Sequence, residues 1–182
     1  MPPMTKIWLC TLKDPSSISS PKFQQLITEL LEFCASYTNP TGDNSALPMH
    51  SFFQDTREPS QLFMITGYPS QEMNTEADNI YAERYLPRMF ELVQHKVLRQ
   101  ISVDVRTLPL RGDIVLTVGK NPDEWKDEKA IGNWDYWPET RGIKIEEADK
   151  VYVQVDAWNG ESLQSGNPVE GEVVYLRQIQ SS

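Results

Sequence analysis

Cysteine is scarce in this chain: 182 residues contain two, Cys10 and Cys34. Neither has a CxxC neighbour or a histidine at ligand spacing, so neither a disulfide framework nor a thiolate metal site is indicated. Both lie in apolar stretches and read as small buried hydrophobes. Glycine is thin as well, with nine residues and no GxGxxG or GxxxxGK, which removes the usual phosphate-cradling loops. HExxH and GxSxG are also missing. No apolar run approaches membrane-spanning length, and the first residues lack the charged-then-apolar order of a signal peptide. The sequence therefore reads as cytoplasmic, with no membrane partner. Lys and Arg number 17 against 26 Asp and Glu, a formal net charge of −9. Without a basic cluster, nucleic acid is excluded as a partner, and the acidity serves solubility.

What is present is an ordinary globular composition, 39% hydrophobic and 24% charged. The length suits one domain, or a compact domain with an appendage, and can bury a core without staples. Residues 6–13 (KIWLCTLK) read as a strand ending at Asp14-Pro15. Trp8, Cys10 and Leu12 point to one face and Ile7 and Leu9 to the other, so both faces are apolar. Ser20-Pro21 predicts an N-cap and a first-turn proline. They open a helix with Phe23, Leu26, Ile27, Leu30, Leu31 and Cys34 on one stripe, stopped by residues 39–42 (NPTG). Residues 50–55 (HSFFQD) and 61–68 (QLFMITGY) form a hairpin across 56–60. The unbroken apolar run 62–65 marks the second of these as covered on both sides. A second helix is predicted from about 76 to 97 on the spacing of Leu86, Met89, Phe90, Val93 and Val97, with a kink or restart at Pro87. Residues 100–108 (QISVDVRTL) read as a fourth strand.

Strand, helix, strand, strand, helix, strand is the split βαβ order. It predicts an α+β fold with a ferredoxin-like βαββαβ module over residues 1–108. Residues 109–182 form a β-rich extension, with strands at 113–119, 150–158 and 172–179, expected to pack on the module or on a dimer partner. Trp125, Trp134 and Trp137 lie in it as a lid, a dimer arm or a docking element. Helices in such a module cover one sheet face only. At ~25 cal/mol per Å², leaving several hundred Å² of the other face bare would forfeit on the order of 10 kcal/mol, comparable to a whole domain's stability. A second layer is required.

The run 50–71 (HSFFQDTREPSQLFMITGYPSQ) resembles the central hairpin of the antibiotic-biosynthesis-monooxygenase-like domains of the dimeric α/β barrel superfamily. An aromatic strand leads through a turn from Asp55 to Pro59 into an apolar strand. That strand ends in an aromatic, here Tyr68 where the family usually has Trp, before the small polar Ser70. The resemblance spans about residues 5–108. It implies a homodimer whose two four-stranded sheets face each other as a barrel. It also implies a pocket between sheet and helices, often used for cofactor-free oxygenation of polyphenolic or quinone-like molecules. Relatives degrade haem, isomerise lactones, close rings or have no known chemistry. The histidine that the family commonly carries early in its second helix has no counterpart in residues 81–88 (YAERYLPR).

Cofactor-free oxygenation needs a base for an activated phenol, a dry pocket, and a donor for the developing negative charge. His50 is the candidate base, and Tyr68, from the resemblance, the candidate wall or donor. Trp8, Phe52 on His50's face, and Tyr81, Tyr85 and Arg88 about one helical turn apart are candidate substrate contacts. Arg88 would orient a phenolate or carboxylate. The same residues also read as structure: an edge histidine, a core tyrosine, a core tryptophan and a solvated helix face. His95, placed in the last turn of the predicted second helix, suits the helix dipole. No metal ligands and no cofactor are called for. The expected function is a cofactor-independent monooxygenase or cyclase of secondary metabolism, acting as a homodimer on a small aromatic, polyketide-like substrate. The alternative is a non-catalytic dimeric protein that binds a hydrophobic ligand or serves as a scaffold, and haem binding is a third option.

Overall fold

The computed structural model describes residues 3–38, 50–101, 103–119, 152–160 and 171–181. They form β1 (Met4–Leu12), α1 (Pro21–Thr38), β2 (His50–Asp55), β3 (Gln61–Tyr68), α2 (Gln71–Arg84), α3 (Leu86–Leu92), β4 (Val93–Ile101), β5 (Ile114–Gly119), β6 (Tyr152–Ala157) and β7 (Gly171–Ser181). The strands make one sheet in the order β4-β1-β3-β2-β7-β5-β6, with every neighbouring pair antiparallel. Its first four strands carry the order and the one-sided helices of a ferredoxin-like module, as the sequence predicts.

Local chemistry explains α1. The Phe23 amide donates to Ser20 Oγ at 3.2 Å, Pro21 occupies the first turn, and the predicted stripe from Phe23 to Cys34 is buried. That stripe packs on Trp8, Cys10, Leu12, Phe52, Leu62 and Met64. The other sheet face presents Ile7, Phe53, Phe63 and Ile65, which share a core with Ile114, Leu116 and Val118 of β5, Val153 and Val155 of β6, and Val174 and Leu176 of β7. The sheet curls into a half-barrel, so the layer that the two-sided apolar strands demand is the chain's own. β7 makes this possible by pairing with β2 on one side and β5 on the other.

The second helical region departs from expectation. α2 begins at Gln71, where Ser70 Oγ accepts from the Met73 amide at 3.2 Å. The helix breaks at Tyr85 and restarts as α3 with Pro87 in its first turn. It then ends at Leu92, and residues 93–101 are strand rather than the predicted helix tail, so His95 lies on β4. Val93 and Val97 are four apart, a spacing that suits one face of a helix and of a regular strand alike, so periodicity cannot separate the two; in β4 itself a bulge opposite Leu9 and Cys10 turns them to opposite faces. The predicted strand at 100–108 contributes only its first residues to β4. Val105–Thr107 is a 3₁₀ turn, opened by Asp104, whose carboxylate accepts from the Arg106 amide at 3.0 Å. The helix stop at 39–42 and the tryptophans Trp125, Trp134 and Trp137 fall outside the described residues.

Candidate functional site

Antiparallel register sets Gln100, Lys6, Thr66 and His50 in one row across β4, β1, β3 and β2. The next row is Leu98, Trp8, Met64 and Phe52, all part of the helix-side core. Alternation therefore gives the polar row the helix side as well. Above it runs α2, whose Asn74, Ala77, Asp78 and Tyr81 fall at i, i+3, i+4 and i+7 and so share a face. This face is polar where a covering helix is ordinarily apolar. Lys6 Nζ is ion-paired with Asp78 Oδ2, their side chains 7% and 26% exposed. Asn74 Nδ2 donates to the same carboxylate oxygen at 3.2 Å. Asn74 Oδ1 and the Tyr81 hydroxyl are buried without a hydrogen-bond partner among the described residues.

His50 and Tyr68 meet at the end of this layer, their rings 5.5 Å apart. His50 is fully buried; its Nε2 lies 2.8 Å from Thr38 Oγ1, and the ring also hydrogen-bonds the Cys34 backbone. The Tyr68 hydroxyl donates to Cys34 Sγ at 3.7 Å. Burial dominates the electrostatics. It pulls the His50 imidazolium down to about 3, pushes the Cys34 thiol up to about 12, and holds the Tyr68 and Tyr81 phenols well above the usual range. It also lowers Lys6, against the opposing pull of Asp78. At neutral pH the imidazole, both phenols and the thiol are uncharged. An imidazole that protonates only near 3 is a weak base, so His50 is better suited to orienting than to abstracting a proton.

The aromatic candidates adjoin the row. Trp8 meets Tyr81 edge-on at 6.4 Å, Tyr81 lies nearly parallel to Tyr85 at 6.4 Å, and Tyr85 contacts Phe33 at 5.1 Å. Phe52, fully buried, shares the Trp8 row. Arg88 is elsewhere: its guanidinium pairs with Glu29 of α1 at 2.7 Å on the exposed side of the helices. The structure thus joins His50 to Tyr68, and Trp8 to Tyr81 and Tyr85, while Arg88 stands apart. Lys6, Asn74 and Asp78 were not singled out from sequence, and Cys34 reads there only as a small buried hydrophobe. Two signals mark them: Lys6 has the parity of Trp8 and Cys10 on an otherwise apolar face, and the first turns of α2 have no apolar stripe.

A histidine-ligated haem needs an axial ligand with a free lone pair. His95 Nδ1 accepts from Trp8 Nε1 at 3.1 Å, so its neutral ring carries the proton on Nε2. His50 is buried and bonded to Thr38. These are the only histidines in the sequence, and neither fits a histidine-ligated haem. Among the described residues no cluster of three or more His, Cys, Asp or Glu is placed to hold a metal, and no helix is long and apolar enough to cross a membrane.

No protein-family model and no curated protein matches the chain. Among solved structures, it is similar to a protein provisionally described as a chlorite dismutase, with a TM-score of 0.50 and 13% identity over 99% of this chain and 96% of that one. At that identity the likeness concerns the fold. It agrees with the ferredoxin-like α+β fold already evident from the strand order.

Proposed function

We propose that this chain binds a small aromatic molecule between its helices and its sheet, against Trp8, Tyr81 and Tyr85. The contiguous ring contacts from Trp8 through Tyr81 to Tyr85 carry this reading. Such rings offer broad, rigid apolar contact with polar edges at low conformational cost, and they adjoin a row of buried polar groups. Titration of the protein with toluene and with an anthrone, followed by amide chemical shifts, tests it. Saturable shifts confined to α2 and β1, weakened about tenfold by Tyr81→Leu, are expected. Shifts scattered over the surface, or none, would remove the proposal.

A second reading, a cofactor-independent monooxygenase or cyclase acting on an aromatic polyketide-like substrate, is supported by the antibiotic-biosynthesis-monooxygenase-like run at 50–71 and by Tyr68. This neutral buried phenol, donating to a weak sulfur acceptor, could re-aim at a substrate oxygen as charge develops there. Oxygen uptake with an anthrone distinguishes the two. Turnover that falls at least tenfold in Tyr68→Phe supports catalysis; binding without uptake leaves the binding role alone.

A further inference from the structure

We propose that the sheet face turned away from the helices carries a carboxylate-binding site, centred on Arg99, that takes a short aliphatic hydroxy acid. Register sets Arg99 beside Ile7, Ile7 beside Ile65 and Ile65 beside Ser51, one row across β4, β1, β3 and β2. Ile7 and Ile65 belong to the core shared with β5, β6 and β7, so the whole row faces that core. A guanidinium stays protonated at any ordinary pH, and a buried cation without an acceptor is costly. Yet Arg99 Nε is buried with no hydrogen-bond partner among the described residues, and none of the ion pairs there includes Arg99. Glu172 of β7, which attracts it, is exposed. At the other end of the row Ser51, 0% exposed, has a hydroxyl that is likewise unpartnered among the described residues.

The chemistry of the row sets the class of ligand. A guanidinium offers parallel N–H donors in a planar fork that fits the two oxygens of a carboxylate. The two isoleucines between Arg99 and Ser51 give an aliphatic chain an apolar bed and give the outer oxygens of a phosphate no donor. A hydroxyl at the far end of the chain would exchange hydrogen bonds with Ser51, which can both donate and accept. A second carboxylate there would be an unpaired buried charge. Arg99 and Ser51 stand three strand spacings apart, ~14 Å between backbones, a span that the arginine stem and a chain of roughly six carbons would share. β4 is an end strand of the sheet, so the acid would approach Arg99 from its outer side. This face is opposite the aromatic residues of the binding reading above, and the two proposals stand or fall separately.

Binding of 6-hydroxyhexanoate, hexanoate and inorganic phosphate to the full chain in a zwitterionic buffer, measured by calorimetry and by the Arg99 Nε–H resonance, tests the proposal. 6-Hydroxyhexanoate is expected to move that resonance and to bind at least tenfold more tightly than phosphate and several-fold more tightly than hexanoate. Arg99→Met keeps much of the apolar stem. It should abolish binding of both acids and raise the thermal midpoint of the ligand-free protein, because an uncompensated charge has gone. A lowered midpoint would mean that another group of this chain already compensates the guanidinium, and would overturn the proposal. Arg99→Lys keeps the charge without the fork and is expected to weaken both acids about tenfold, a readout that survives if the methionine variant folds poorly. Ser51→Ala should erase the preference for the hydroxy acid while leaving hexanoate unchanged. Phosphate binding as tightly as the acids, equal affinity for the two acids, binding that persists in Arg99→Met, or no binding at all would each overturn the assignment.

Discussion

Val105 closes directly over Gly67: a β-carbon on that glycine would lie 2.2 Å from Val105 Cγ1 and 2.3 Å from Val105 Cβ. The 3₁₀ turn after β4 can dock on β3 only because the strand is bare of side chain there. Gly67→Ala is therefore expected to destabilise the fold by about 1–3 kcal/mol through overpacking, seen as a lower urea midpoint. Adding Val105→Ala should restore part of that loss, a non-additivity that reports the contact itself. Additive losses would show that the crowding lies elsewhere.

His50 gives stability a specific acid dependence. The unfolded imidazole takes up a proton near 6.5 while the folded one resists until about 3. Between those values the unfolded chain binds more protons, so stability rises with pH, is complete above 6.5, and drains away on acidification. The loss attributable to this group by pH 4.5 is on the order of 3 kcal/mol. His50→Gln should flatten that part of the pH–stability curve from denaturant titrations, whatever it does to stability at neutral pH.

Lys6 and Asp78 should respond unequally to loss of the partner. Asp78→Asn strands an ammonium whose side chain is 7% exposed, whereas Lys6→Met leaves a carboxylate that is 26% exposed and partly hydrated. Breaking a buried pair costs about 3–5 kcal/mol, and Asp78→Asn is expected to approach that range while Lys6→Met falls short of it. Lys6 is also depressed by burial, so the unfolded chain binds the extra proton and stability rises with pH toward the ordinary lysine value. The Asp78→Asn penalty should accordingly shrink in alkaline buffer, as measured by thermal midpoints across that range.

Both thiols should be inert in the native protein. Cys10 and Cys34 are buried, and burial raises both thiols, which suppresses the thiolate that reacts. Ellman's reagent is expected to detect essentially no thiol until denaturant is added, and two thiols per chain afterwards. A native thiol reacting at the rate of a free cysteine would contradict the packing of α1 on the sheet.

Much of this was legible in the sequence. The bounds of β2 and β3, the capped start of α1 and the two-sided greasiness of β1 and β3 follow from local pattern, because alternation, capping and helical stripes act within a few residues. β4 was not legible: the four-residue spacing of Val93 and Val97 suits a helix and a regular strand alike, and only pairing with β1, through a bulge that turns the two valines to opposite faces, decides between them. The polar row was illegible for a different reason. Lys6, Thr66 and His50 lie far apart in sequence and become neighbours through register alone, and the matching face of α2 looks, residue by residue, like any solvated helix. Pattern reading assigns such positions to water; here tertiary structure puts them under a helix.

The place of β7 in the middle of the sheet has a consequence for biosynthesis. On the ribosome β1 to β4 emerge first, yet the open edge of β2 and the apolar face carried by Ile7, Phe53, Phe63 and Ile65 wait for strands made much later. Until then the nascent chain shows both a strand edge and a greasy surface, the two features that invite self-association. Maturation of this protein therefore passes through a vulnerable interval that holdase chaperones would be suited to cover.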